Sequence, residues 1–287
     1  MGLARRANSF LRWALALAAF APGALAQQLG GPQSIAGPVG AMYVDDGGGT
    51  DGIPVVFLHS FAGDSSHWAS QLSHARHQRR ALALDLRGHG KSAAPRDNDY
   101  SLGALGKDID AVVDTFKIKR FVLVGHGLGA AAAIAYAGLR PDRVAGLVLV
   151  GAPGRTPAEQ SKEIVASIEK DYDPTMKAYW EKLMANAQPH VRTQIAAQMD
   201  TVPREASLAI IKTLFAYDPL PALDRYRGPT LIIYTAQGDT PNDLQNLRPK
   251  LPRRLIDGTS HWPHLDRPAE FDQVLDDFLK LAGEPRS

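Results

Sequence analysis

The 287 residues contain nine histidines and no cysteine. The missing cysteine excludes a thiol nucleophile, a cysteine-ligated metal and a disulfide scaffold. Among the histidines there is no H-E-x-x-H pair, and the pairs His59/His67 and His261/His264 have no spacing diagnostic of metal, so no metal is expected. The stretch Gly125-His126-Gly127-Leu128-Gly129-Ala130 satisfies G-x-G-x-x-A, the pattern that lets a backbone approach a dinucleotide pyrophosphate. That chemistry also needs an acidic residue at the end of the next strand to hold the ribose. The next strand ends Leu149-Val150-Gly151-Ala152-Pro153, without a carboxylate, and at least two strands precede the motif. A dinucleotide is therefore not expected, and no other cofactor is implied.

The elements that must position any site alternate between β-rich runs and longer helical stretches. After 41–44, strands are expected at 55–58, 81–84, 121–124, 147–150 and 231–234, with a weak one at 254–256. Most are nearly continuous apolar runs, as strands covered on both faces should be. Helices are expected near 66–76, 102–116, 128–139 and 268–282; the last places Phe271, Val274, Leu275, Phe278 and Leu279 on one stripe. The reading is an α/β fold, with a mostly parallel central sheet flanked by helices. Segment 155–228 breaks the rhythm with helical character and no strand, as an inserted helical cap between two core segments, 41–154 and 229–287, would. Within it Met176, Tyr179, Trp180, Leu183 and Met184 form one apolar face, and Leu208, Ile210, Ile211, Leu214 and Phe215 another, some of which would roof a pocket.

Three stretches and two loops, taken in order, resemble the α/β-hydrolase superfamily over about residues 41–282. The first is Phe57-Leu58-His59-Ser60-Phe61-Ala62-Gly63, with Ser60 where that family usually has glycine. The second is Asp85-Leu86-Arg87-Gly88-His89-Gly90-Lys91-Ser92, similar to a D-x-R-G-x-G-x-S loop in which Arg87 would brace loops and Gly88 and Gly90 would permit a tight turn. The third is Val122-Leu123-Val124-Gly125-His126-Gly127-Leu128-Gly129, placed where the family carries its G-x-S-x-G nucleophile elbow. Position 127 is glycine and has no side chain with which to attack. Glycine also relieves the positive-φ strain of an elbow, about 1–3 kcal/mol for other residues. The resemblance implies the Phe61 and Leu128 N–H groups as an oxyanion hole, His261 in Gly258-Thr259-Ser260-His261-Trp262-Pro263-His264 as base, and Asp239 as its acid, with Asp243 as a rival. Asp239 should then lie within hydrogen-bond reach of His261. His59, Ser60, His126 and Trp262 would line or support the pocket.

Residues 1–26 carry Arg5, Arg6 and Arg12, an apolar run over 13–20 and Ala24-Leu25-Ala26, the order of a Sec-type signal peptide; a twin-arginine route and an uncleaved N-terminal anchor are the alternatives. The chain is then expected to be periplasmic or secreted, with no membrane span once the leader is removed and a flexible Gly/Pro-rich lead-in over 27–40. Losing the leader removes three arginines and no acid, turning a formal charge of +2 into −1. So balanced a chain is no electrostatic nucleic-acid binder. The expected partner is a small apolar ester or carbonyl compound. The site would act on it through a His-Asp dyad without a covalent step, bind it without turnover, or represent a serine esterase or C–C hydrolase stripped of its nucleophile.

Overall fold

The computed structural model describes residues 30–237 and 239–282; the expected leader lies outside the described residues. Eight strands form one sheet: β1 (Pro32–Gly37), β2 (Gly40–Gly48), β3 (Val55–Leu58), β4 (Arg80–Leu84), β5 (Phe121–His126), β6 (Val144–Val150), β7 (Thr230–Tyr234) and β8 (Arg253–Leu255). Their spatial order is β1-β2-β4-β3-β5-β6-β7-β8, antiparallel for the first two pairings and parallel from β4 onward. The parallel strands alternate strictly between two apolar layers. Val56, Leu58, Leu123, Leu147 and Leu149 face one, and Val55, Phe57, Val122, Val124, Val148 and Val150 the other. This two-sided burial is why they read as unbroken apolar runs.

Part of the lead-in expected to be flexible is strand β1, paired residue by residue with β2 from Pro32↔Asp45 to Gly37↔Gly40. Its Gly and Pro content hid it, and an edge strand tolerates both. Between the strands run α1 (Ala69–Ala75), entered through a 3₁₀ turn at Ser65–Trp68, α2 (Leu102–Thr115) and α3 (Leu128–Leu139). The Ser101 side chain caps α2 by accepting from the Ala104 N–H. Between β6 and β7 lie α4 (Ala158–Lys170), α5 (Tyr172–Leu183), α6 (Pro189–Gln198), α7 (Arg204–Ala216) and α8 (Leu220–Arg225), and after β7 come α9 (Leu244–Leu247), α10 (Pro263–Asp266) and α11 (Pro268–Ala282). The apolar residues Met176, Trp180, Met184, Ile210 and Ile211 of the five-helix segment pack into the larger core layer. Among the described residues no helix is long and apolar enough to cross a membrane.

Candidate active site

Strands β3 and β5 are parallel neighbours with Leu58 opposite Gly125, so the two chains leave the sheet side by side. Beyond β5 the chain turns through Gly127, at φ 52° and ψ −111°, directly into α3. That backbone is left-handed and glycine takes it without strain. Gly129 is required for a different reason: a Cβ there would stand 2.5 Å from the Leu58 carbonyl oxygen. A Cβ at 127 would point into the site, 2.1 Å from Ser60 Oγ, 3.0 Å from Ser60 Cβ and 3.5 Å from His261 Nε2. The elbow, the loop after β3 and the base candidate thus meet at one point.

The loop after β3 is held from behind by His59, which is fully buried. Its Nε2 accepts the Leu86 N–H at 2.9 Å, so the proton sits on Nδ1, which donates to the Ser60 carbonyl at 2.7 Å. Burial pushes the His59 pKa down to about 4, keeping this brace neutral. The Ser60 carbonyl also accepts from the Gly63 N–H at 3.0 Å. The Leu86 loop is itself anchored by Arg87, whose buried guanidinium grips both oxygens of Asp108 on α2, each at 2.7 Å. Arg87 braces loops and does not line the cavity.

Ser60, Phe61, Gly127, Leu128 and His261 line one cavity of ≈ 220 Å³, together with Tyr179 of α5, Leu214 of α7 and Asp243. Among the described residues neither the Phe61 N–H nor the Leu128 N–H finds a hydrogen-bond acceptor, whereas the next amide, Gly129 N–H, donates to the His59 carbonyl at 3.1 Å. Leu128 is the first residue of α3, where amides have no partner within the helix and the helix dipole favours negative charge. Two unengaged donors beside Gly127 have the makings of an oxyanion hole. Above them the Phe61 ring stacks on Trp180 of α5 at 5.6 Å, and Trp180 stacks on Trp262 at 6.3 Å. Trp262 therefore ties the roof to the core behind the cavity.

His261 is fixed through its backbone. Its N–H donates to the Leu183 carbonyl at 3.1 Å, and its carbonyl accepts from His126 Nε2 at 2.8 Å. His126 is thereby a buried support, with burial holding its pKa well below the ordinary value. The His261 ring lies on Gly151, where a Cβ would come within 2.8 Å of Cε1 and 3.2 Å of Nδ1. Burial pushes its pKa down to about 4. The imidazole is neutral at pH 7 and can accept a proton. His264 stacks on Trp68 at 4.2 Å, away from the cavity.

The structure does not bring Asp239 to His261. The exposed Asp239 carboxylate instead accepts from Gln245 Nε2 at 3.0 Å and Asn246 Nδ2 at 2.7 Å, and the Gln245 bond, then the Asn246 bond, holds its pKa below the usual carboxylate value. Nothing in the sequence pattern announced these two amides, which offer Asp239 donors nearer than the imidazole. The rival, Asp243, lines the cavity with His261 but caps its own turn, accepting the Thr240 N–H at 2.6 Å, and burial raises its pKa. Among the described residues no carboxylate hydrogen-bonds the His261 ring.

Residues 55–274 match the sequence model described as the Alpha/beta hydrolase family. The sn-1-specific diacylglycerol lipase of Mus musculus is 28% identical over 260 residues, covering 78% of this chain and 80% of that protein. The dihydrolipoyllysine-residue acetyltransferase component of the acetoin cleaving system of Pseudomonas putida is 38% identical over 107 residues, 37% of this chain, and the match spans only 29% of that relative. The crystal structure of the enol-lactonase from Burkholderia xenovorans LB400 shares the fold, with a TM-score of 0.73 at 22% identity, over 86% of this chain and 100% of that one.

Proposed function

Because the chain belongs to the Alpha/beta hydrolase family, we propose that it hydrolyses small, largely apolar esters or related carbonyl compounds in the cavity between the Gly127 elbow and α5 and α7. The observation that carries this reading is the convergence on one cavity of a neutral imidazole and two unengaged backbone N–H groups. In it His261 acts as general base, worth about 10²–10⁴-fold, and the Phe61 and Leu128 amides hold the negative charge that develops on the carbonyl oxygen. His261 works without Asp239. A diacylglycerol lipase and an enol-lactonase among the similar proteins support an ester-type substrate. The cavity, at ≈ 220 Å³, is smaller than the roughly 300 Å³ at which drug-sized pockets begin. Short acyl chains should therefore be preferred.

The test is turnover of a chain-length series of p-nitrophenyl esters beside His261→Ala. Turnover that falls off with acyl length and disappears in the variant supports the reading; turnover that survives His261→Ala overturns it. A second reading, binding of a small apolar ligand without turnover, is favoured by the lack, among the described residues, of a carboxylate hydrogen-bonded to the His261 ring. Saturable binding by a protein that turns over no ester would select it.

We further propose export through the 1–26 leader, supported by the order of its arginines, apolar run and small residues. Fractionation of a bacterial host should find the cleaved chain outside the cytoplasm; an uncleaved cytoplasmic chain would refute this.

A further inference from the structure

Gly127 lacks a nucleophile, yet the hydroxyl of a neighbouring loop stands where a side chain at 127 would begin. A Cβ at 127 would come within 2.1 Å of Ser60 Oγ, and the same point lies 3.5 Å from His261 Nε2. We propose that Ser60 is the nucleophile of this site, carried at the end of β3 instead of at the elbow after β5. The inference rests on the hydrolase reading above and names the residue that reading leaves unassigned.

Strand register explains how a hydroxyl from another loop reaches this point. Leu58 pairs with Gly125 on the adjacent parallel strand, so two residues further on Ser60 runs alongside Gly127. The residue after each is an oxyanion donor, Phe61 after Ser60 and Leu128 after Gly127. A carbonyl attacked from Ser60 therefore keeps both donors. The Ser60 main chain is pinned by His59 and Gly63 through its carbonyl, which limits the positions open to Oγ. The two features also depend on each other: a side chain at 127 would displace the Ser60 hydroxyl, and the bare glycine admits it.

In the reaction, Ser60 Oγ bonds to the substrate carbonyl carbon and its proton passes to His261 Nε2. The carbonyl electron pair moves to the oxygen facing the Phe61 and Leu128 N–H groups. Collapse of the tetrahedral species breaks the bond to the leaving alkoxide, which takes the proton from His261. Water then attacks the acyl-Ser60 ester, giving its proton to His261, and the acid departs as that proton returns to Ser60 Oγ. Water is the only co-reactant.

The test treats the full chain with a fluorophosphonate, locates the adduct by peptide mass spectrometry, and measures p-nitrophenyl acetate turnover in parallel. The parent, Ser60→Ala, Ser60→Gly and His261→Ala are compared, with thermal melting to verify folding. The expected result is an adduct on Ser60, lost in both Ser60 variants, with kcat reduced on the order of 10³-fold in each. An adduct on another residue overturns the proposal. So does parent-like turnover in a folded Ser60 variant, and if that turnover still needs His261 the hydrolase reading stands while the Ser60 assignment falls. A parent that neither turns over ester nor takes the label overturns both.

Discussion

The loops that leave β3 and β5 are neighbours built on the same plan: His59-Ser60-Phe61 on one, His126-Gly127-Leu128 on the other, in register across a parallel pairing. In both, a buried histidine is neutral and bonds a carbonyl of the site, His59 that of Ser60 and His126 that of His261. In both, the third residue lines the cavity, and its N–H finds no acceptor among the described residues. They differ in backbone and in the middle side chain: Gly127 is left-handed and bare, whereas Ser60 carries the hydroxyl. The difference teaches that the sheet fixes the reacting point, and that either of two adjacent strand ends can supply the group that occupies it.

Exchanging the two middle residues should break or sharpen this comparison most strongly. Ser60→Gly alone is expected to cost on the order of 10³-fold in kcat on p-nitrophenyl acetate. Adding Gly127→Ser should restore most of that rate, because the point beside His261 Nε2 regains a hydroxyl. Gly127→Ser alone crowds Ser60 Oγ and should be less stable than the parent by about 1–3 kcal/mol in urea unfolding, the strain of a left-handed backbone plus the displacement of Ser60.

The next effect falls on the brace behind the β3 loop. Asp108→Ala leaves the buried Arg87 guanidinium unpaired and should cost about 3–5 kcal/mol in urea unfolding. A loss below about 1 kcal/mol would mean that the Arg87 anchor does not hold this loop.

Acid should undo both loops together. His59, His126 and His264 are fully buried with pKa values pushed below 6.5 by burial, to about 4 for His59. As pH falls the unfolded chain takes up protons first, so the stability these groups contribute is complete above about pH 6.5 and is lost as pH falls toward about 4. For His59 alone the loss is on the order of 3 kcal/mol. Urea midpoints should therefore drop steeply between pH 7 and pH 4.5, and equal midpoints would contradict the neutral assignment.

The smallest effect separates the two carboxylates. Asp239→Asn should change kcat/KM by less than about threefold, under 1 kcal/mol of barrier, because its partners are Gln245 and Asn246. Asp243→Asn, on the cavity wall, should have the larger effect. A loss above about 100-fold for Asp239→Asn would restore the dyad.

The sheet and the elbow were legible because their signals are local. Two-sided burial writes continuous apolar runs, and the strand-to-helix turn needs glycines at 125 and 129 within four residues of each other. The convergence of Phe61, Gly127, Leu128 and His261 on one cavity followed from those motifs. Strand β1 was hidden because an edge strand is specified by its pairing with β2 and not by its own residues. The partners of Asp239 depend on how residues 239–246 turn, which two amides decide and no periodicity records. Ser60 was legible as an odd residue in a familiar loop. Its place beside Gly127 needed the register of β3 against β5, which is a property of two strands together.

The most direct measurement of the central claim is a crystal structure of the protein after reaction with a short alkyl phosphonate. The account expects phosphorus bonded to Ser60 Oγ, with the phosphonyl oxygen on the Phe61 and Leu128 N–H groups and His261 Nε2 beside the ester oxygen. Phosphorus bonded to any other side chain would contradict it, as would a phosphonate bound in the cavity with Ser60 unmodified.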